Sequence, residues 1–535
     1  MISRELTLMQ AAYWVGRNSH APLGGVAAHL YGEFDGRDLD PERLREAVCR
    51  LCRLHPMLQL RVDADGRQHL DSAPAALPLD VEDMRELSAD ALEERLLTKR
   101  RAWTHRWLDL ARGEAAAFGL SLLPDGACRL HVDTDMIAVD PNSFRLVMED
   151  LARLYDHPDQ LSEPASHGFF DWLDQISADA ELTRQRERGR EWWRSRLADL
   201  APAPELPPAP QAQTEVATSE RLAARLSPEE RRALEKRARA LRVTPSMLAL
   251  SLFAAVLGRA TSEMRFRLNV PSFWRVPAVP GVEHIVGEFS NVLILGVDLT
   301  AAPTLAELCR AVGEEMIDLI AHDAYPGVSV MRDLSRQLGS VQAAPVVFTA
   351  GLDISGGDLF SEIVGRVFGP MNCVISQGPQ VAIDAQVAAC DGGILVNWDV
   401  RLDALPEAWI RKTFEAYVAL LREVAARPEA LDAACGLPAA PRAHDDAVIP
   451  TETMLISLLK RLAPGEPIDA DTVIANGARA EIARFLDRYC PTGVPTRPHF
   501  DEAATPRSLA RLVRARSAGA SDEIARIFLE TTHEG

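Results

Sequence analysis

The chain has 535 residues, which at roughly 100–200 residues per domain predicts about three domains. Hydrophobic residues make up 47% and charged residues 25%, a balance that excludes a disordered chain and can fill more than one core. Lys and Arg number 58 against 77 Asp and Glu, a formal charge of -19, which excludes the basic footprint of a nucleic-acid binder and the Lys/Arg bias of proteins drawn to anionic membranes.

The first residues, Met1–Arg17, hold no continuous apolar stretch and no small-residue cleavage site, so no leader is read there. Over 41–54, helical spacing sets Leu44, Val48, Leu51 and Leu54 on one stripe. Residues 127–133 read as a strand, and 142–155 as a helix with Phe144, Val147, Leu151 and Leu154 along its apolar face. The proline-rich run Leu200–Gln211 predicts an extended connector, because proline fixes φ and lacks an N–H. Beyond it, 228–241 and 245–258 read as helices, and 290–298, 345–350, 380–388 and 393–399 as strands. A second proline-rich run, Leu437–Pro450, precedes a helical pattern over 452–462, 478–490 and 505–516, and a last amphipathic stretch covers 521–530. The expected class is α/β: two lobes of similar size, 1–200 and 212–436, then a small helical bundle, 451–516, and a tail, 517–535, with a short helix. A site between the lobes is expected, since ligand sites favour domain junctions. Eight Cys make no disulfide framework and no run reaches about 18 apolar residues, so a soluble, reducing, cytoplasmic protein is expected.

Common catalytic signatures are missing. There is no P-loop, no GxGxxG after a strand, no GxSxG elbow and no HExxH. Cys49 and Cys52 form a CxxC, but both fall within the helix 41–54 with no second ligand pair nearby, and they read as packed thiols. No metal and no cofactor of its own is expected, so chemistry must come from side chains.

Two constellations remain. Asp135, Asp140 and Ser143 gather at a strand-to-helix junction, where Asp140 followed by Pro141 also reads as a plain helix cap and Asp135 as a solvated loop acid. In 380–387, strict alternation places Val381, Ile383, Ala385 and Val387 on one face and Gln380, Ala382, Asp384 and Gln386 on the other. A mid-strand acid flanked by apolar neighbours is partly desolvated, which raises its pKa and suits a general acid; the alternative is a face open to water. Thr349 follows an apolar strand and reads, taken alone, as an ordinary β-branched residue.

Read together and in order, several segments resemble the motifs of heterocyclization domains of nonribosomal peptide synthetases, within the condensation-domain superfamily. They are Leu6–Arg17, Arg53–Gln68, the DxxxxDxxS set Asp135/Asp140/Ser143, Asp199–Leu206, Gly287–Ser290, Pro345–Ala350 and Ser376–Asp384, and the likeness spans about residues 5–430. The resemblance implies two chloramphenicol-acetyltransferase-like lobes in a V-shaped pseudo-dimer with a tunnel between them. Donor and acceptor carrier proteins feed phosphopantetheine arms into it. An acyl thioester is condensed with a carrier-bound Cys, Ser or Thr, and the product loses water to give a thiazoline or oxazoline. It further implies Thr349 and Asp384 as the cyclodehydration pair, Asp135 as an aid to condensation, and Asp140 as architectural, paired with Arg275. Departures are Ala350 and Gly378 in place of a Ser and a Thr, and Trp274 in place of an Asn, which narrows the tunnel in this reading.

Ile468–Ala480 resembles the thiolation stretch of a peptidyl carrier, with Ala480 where the phosphopantetheine serine would stand. This implies a degenerate carrier, the alternative being an unrelated helical appendage. With no adenylation segment in view, the chain is expected to stand alone and act in trans on carriers of other synthetase subunits. Amide formation without cyclization, and a non-catalytic docking scaffold, are the competing readings.

Overall fold

The computed structural model describes residues 2–18, 23–71, 77–159, 166–209, 219–353, 357–435 and 450–462, with single positions beyond 473. Two compact units divide the chain, Met1–Leu437 and Pro438–Gly535.

The first half runs β1 (Ile2–Glu5), α1 (Leu8–Gly16), β2 (His29–Arg37), α2 (Pro41–Leu54), β3 (Arg61–Val62), β4 (Arg67–Leu70) and β5 (Leu79–Asp83). It continues through α3 (Ala89–Thr104), β6 (Ala116–Leu122), β7 (Ala127–Asp135), α4 (Pro141–Asp156), α5 (Phe169–Ala178) and α6 (Ala180–Arg196). The second half runs β8 (Ser219–Leu226), α7 (Pro228–Leu241), α8 (Pro245–Thr261), β9 (Arg265–Phe273), β10 (Ser290–Asp298), α9 (Leu305–Ala321) and α10 (Gly327–Leu338). Then follow β11 (Val346–Gly351), α11 (Glu362–Phe368), β12 (Met371–Gln377), β13 (Ile383–Cys390), β14 (Gly393–Arg401) and α12 (Glu407–Ala426). In the second unit, α13 spans Pro450–Leu462. Ala480, most of 478–490 and 505–516, and all of 521–530 lie outside the described residues.

Helix starts follow local signals. Asp40 and Asp140 accept the backbone N–H of Arg43 and Ser143, each with proline at the next position, which fixes the entry to α2 and α4. Ser227 and Glu230 close a reciprocal capping box on α7. The apolar stripes then pack: Leu44, Val48 and Leu51 of α2 and Phe144, Val147 and Leu151 of α4 are buried in one core with Leu130 and Val132 of β7. In the other lobe, Phe253 of α8 meets Phe348 of β11 at 5.0 Å and Trp398 of β14 at 5.4 Å. The proline-rich residues 200–209 adopt neither helix nor strand, and Pro202 accepts the Arg267 N–H at 2.8 Å.

Each lobe is built on one large sheet. The first has the order β12-β2-β7-β6-β5, the second β10-β9-β11-β13-β14-β8. Sheet membership does not follow the division of the chain at 200–212. β12 comes from the second half but pairs antiparallel with β2, Ile375 opposite Tyr31 and Gln377 opposite His29. Val279, Val282, Ile285 and Phe289, also from the second half, are buried in the first lobe's core. β2 is buried along most of its length, so without β12 its outer backbone groups would lack partners.

The strand expected over 380–388 begins at Ile383 instead. Gln380 sits in the left-handed region at φ 65 and donates its N–H to Leu23, so 380–382 form the bend that enters β13. Among the described residues, no single helix is long and apolar enough to cross a membrane.

Candidate active site

Four strands carry a polar row across the second sheet. β11 and β13 are parallel, with Thr349 opposite Gln386. β13 and β14 are antiparallel, with Asp384 opposite Asp399 and Gln386 opposite Asn397, and Asp399 lies opposite Arg221 of β8. Alternation along each strand therefore sends Thr349, Asp384, Gln386, Asn397, Asp399 and Arg221 to one face. The opposite face of β13 is apolar, with Ile383, Ala385 and Val387 fully buried.

Hydrogen bonds order the row. Thr349 Oγ1 donates to Asp384 Oδ1 at 3.5 Å. Gln386 Nε2 donates to Asp384 Oδ2 at 2.8 Å and to Asp399 Oδ2 at 3.2 Å, while Asn397 Nδ2 donates to Gln386 Oε1 at 2.5 Å. Asp399 takes the Arg221 guanidinium in a two-pronged pair and the Ser376 N–H at 2.8 Å. Asp399 thus holds the cation, and Asp384 is left with neutral donors. Asp384 is only 9% exposed. Burial, and after it the charge of Asp399, pushes its carboxyl up to about 7. At neutral pH such a group carries a proton for much of the time, the state a general acid needs.

Thr349, Asp384 and Gln386 line a chamber of about 310 Å³, together with Tyr13 of α1 and the rings of Phe144 and Phe360. A second cavity of about 570 Å³ shares Met9, Ser290, Asn291 and Val328 with it, and a third of about 630 Å³ shares Val374 and Asn397. The second and third cavities each share wall residues with the chamber and none with each other, and Thr349, Asp384 and Gln386 of the polar row line the chamber.

Asp140, Ser143 and Arg275 are also brought together, but as a buried junction. Asp140 Oδ1 accepts from Ser143 N at 2.6 Å and from an Arg275 nitrogen at 3.2 Å, and Oδ2 accepts from Phe289 N at 3.1 Å. Ser143 Oγ accepts from the same Arg275 nitrogen at 2.7 Å and donates to the Gly287 carbonyl at 2.8 Å. Gly287 leaves no room for a side chain, since a Cβ there would stand 2.4 Å from Phe169. The junction therefore pins the 274–289 segment onto the head of α4.

Asp135 stands apart from both groups. It is fully buried, ion-paired to Arg17, and accepts the Ile137 N–H at 2.9 Å. It does not line the chamber; its neighbour Met136 does. Its carboxylate is paired with Arg17, which caps the C-terminal end of α1. Trp274 lines the second cavity rather than the chamber, edge-on to Trp172 at 6.2 Å and under Arg186. Cys49 and Cys52 both lie on α2, and burial pushes the Cys52 thiol up to about 12.

The sequence reading did not single out Asp399, Arg221 or Asn397. A signal existed for two of them: in 393–399, Asn397 and Asp399 break an apolar strand with the same two-residue period that exposed Asp384. Arg17 and Glu288 were not singled out either: the partner of Arg17 lies 118 residues away, and the lack of a cation at Glu288 is a property of the whole fold.

A family model described as Condensation domain matches residues 4–438. The chain is 42% identical over 495 residues to the phenyloxazoline synthase MbtB of Mycobacterium tuberculosis, covering 90% of this chain and 34% of the relative. It is 35% identical over 438 residues to the pyochelin synthetase PchE of Pseudomonas aeruginosa, covering 81% of this chain and 30% of the relative. The chain thus spans about a third of the length of these curated relatives. A crystal structure of the EpoB cyclization-docking bidomain from Sorangium cellulosum superposes with a TM-score of 0.71 at 27% identity, covering 80% of this chain and 86% of that one.

Proposed function

The chain belongs to the condensation-domain family, and on that premise we propose that it is a heterocyclization enzyme of nonribosomal peptide synthesis. Its fold is the pair of chloramphenicol-acetyltransferase-like lobes of that family. In this reading it joins a carrier-bound acyl group to a carrier-bound Cys, Ser or Thr, then removes water to leave a thiazoline or oxazoline. The observation that carries it is Asp384: a buried acid at the chamber wall, left without a cation and fixed by Thr349 and Gln386.

The chemistry follows from that placement. The acceptor's thiol or hydroxyl attacks the new amide carbonyl and leaves a carbon bearing a hydroxyl, the ring heteroatom and the nitrogen. Asp384 protonates the departing hydroxyl, water leaves and the C=N bond forms. The nitrogen proton then returns to the Asp384 carboxylate, so the catalyst is restored. Thr349 and Gln386 position the acid. Cavities that share wall residues with the chamber give each thioester arm its own approach and supply proximity. The arms are in this reading those of donor and acceptor carriers, and Ala480, where the resemblance puts the phosphopantetheine serine, has no hydroxyl to bear one. Residues 451–516 are in this reading a degenerate carrier kept for docking. Phe144 and Phe360, edge to face at 6.1 Å in the chamber wall, suit an aryl acyl group.

The test is the intact mass of an L-cysteinyl-loaded carrier after incubation with the chain and a benzoyl-loaded donor carrier. Gain of benzoyl with loss of one water is the expected result. Benzoyl gain without water loss reduces the activity to amide formation, and an unchanged carrier, with a seryl-loaded acceptor also inert, leaves a docking scaffold.

A further inference from the structure

Five buried carboxylates of the first unit are answered by arginine: Glu33 by Arg100, Asp133 by Arg106, Asp135 by Arg17, Asp140 by Arg275 and Asp399 by Arg221. Glu288 differs. Its side chain is 2% exposed, and among the described residues no cation pairs with it. Its hydrogen bonds are one from Ser290 N to Oε1 at 2.8 Å and a long one from Thr7 Oγ1 to Oε2 at 3.4 Å. Thr7 has another task, since the same oxygen caps α1 by accepting the Gln10 N–H at 3.1 Å.

Glu288 is also placed to meet a ligand. It lines the second cavity, and Ser290, two residues on, lines both that cavity and the chamber. Tyr13, in the chamber wall, feels the charge of both Glu288 and Asp384. Asp384 thus lines the chamber and Glu288 the cavity that shares Met9, Ser290, Asn291 and Val328 with it. Asp384 has a role in the proposed ring closure, whereas Glu288 has none in that step.

A buried acid without a cation, facing a passage that admits an aminoacyl arm, has one obvious complement in the arm itself. We propose that Glu288 receives the α-ammonium group of the acceptor aminoacyl thioester and takes its proton before the amine attacks the donor acyl thioester. This rests on the heterocyclization reading and assigns its first step. The ammonium gives one proton to the Glu288 carboxylate and becomes a free amine. Nitrogen then bonds to the acyl carbon, the carbon–sulfur bond breaks, and the second nitrogen proton leaves with the thiolate as a thiol. The proton taken from the ammonium stays on Glu288 as product leaves and restores the empty site.

The electrostatics agree with this placement. Burial, and then the charge of Asp140, pushes the Glu288 carboxyl up to about 8. The empty site thus holds a neutral carboxyl, which releases its proton to solvent as the arriving ammonium supplies the missing cation. An α-amino group titrates near 7.7–8.0, so proton exchange between the two is close to balanced.

Glu288→Gln keeps the side chain's shape and an acceptor for the Ser290 N–H. Amide formation between benzoyl-loaded and L-cysteinyl-loaded carriers should fall about 100-fold. Ring closure of a preformed benzoyl-cysteinyl carrier should fall by less than about a tenth of that factor. Binding gives a readout free of turnover. The wild-type chain should hold the L-cysteinyl-loaded carrier about tenfold or more tighter than the 3-sulfanylpropanoyl-loaded one, which lacks only the amine. Glu288→Gln should erase that preference, and Glu288→Asp, which keeps the charge, should retain it. An equal loss on both steps, or an amine preference unchanged in Glu288→Gln, overturns the proposal. A wild-type chain that prefers the amine but never closes a ring would sink the heterocyclization reading and leave this assignment standing.

Discussion

Asp140 and Asp384 are both carboxyls buried in the same compact unit, and both belong to the motifs by which the sequence was read. Asp140 is fully enclosed and surrounded by donors: Arg275, Ser143 N and Phe289 N. Asp384 keeps 9% of its surface, faces a chamber and is held by neutral side chains, Thr349, Gln386 and Ser376. The nearest cation to the row, Arg221, is committed to Asp399. Burial alone does not make an acid reactive. Whether a cation answers it decides between a carboxylate that holds two segments together and a carboxyl that keeps its proton.

The sharpest way to break this contrast is Asp384→Asn. Ring closure should fall about 10²–10⁴-fold while the open amide accumulates, as followed by intact mass, and the urea unfolding midpoint should hold. Ring formation at the wild-type rate would remove Asp384 from the chemistry. Next comes Arg275→Ala, which leaves Asp140 buried and unanswered. It should destabilise the fold by about 3–5 kcal/mol in urea unfolding, and adding Asp140→Asn should recover part of the loss.

A pH series sharpens the comparison. With the Asp384 carboxyl near 7, the protonated acid is lost as pH rises through that value, so the rate of ring closure on a preformed amide should drop on the alkaline side. Asp399→Asn removes the charge that helps hold this carboxyl up and frees Arg221 to favour the ionised form. The alkaline limb should then move to lower pH by about one unit. The smallest effect is expected at Thr349. Thr349→Val removes one neutral hydrogen bond, worth about 0.5–1.5 kcal/mol, so ring closure should slow about 2–10-fold, and Thr349→Ser should restore it.

Much of this was readable before any coordinates. Amphipathic spacing marked α2 and α4, Asp140 with Pro141 marked the start of α4, and two-residue alternation set Asp384 apart from its apolar neighbours. Those signals are local, arising within one turn or one strand. What escaped was set by register between strands distant in the chain. Nothing in 371–377 says that it joins β2, some 340 residues earlier. Asp399 and Arg221 become part of the site only because β14 lies between β13 and β8. The orientation of Asp135 turned on Arg17, which is 118 residues away in sequence. The unanswered state of Glu288 could not be read locally either, since an acid lacks a cation only with respect to the whole fold.

The return of β12 to the first sheet has a mechanical consequence. The strand is paired with β2 from His29 to Phe34, with one register shift between Met371 and Cys373, and α11 before it packs in the first lobe's core, while β11 and β13, which lead into and out of this excursion, belong to the second sheet. Swinging the lobes apart like jaws would tear that register. Any widening of the chamber has to be a slide of one layer over another, and heat should melt both lobes in one cooperative transition. A fragment cut at residue 200 would carry β2 as a raw edge, open to pairing with whatever strand it meets.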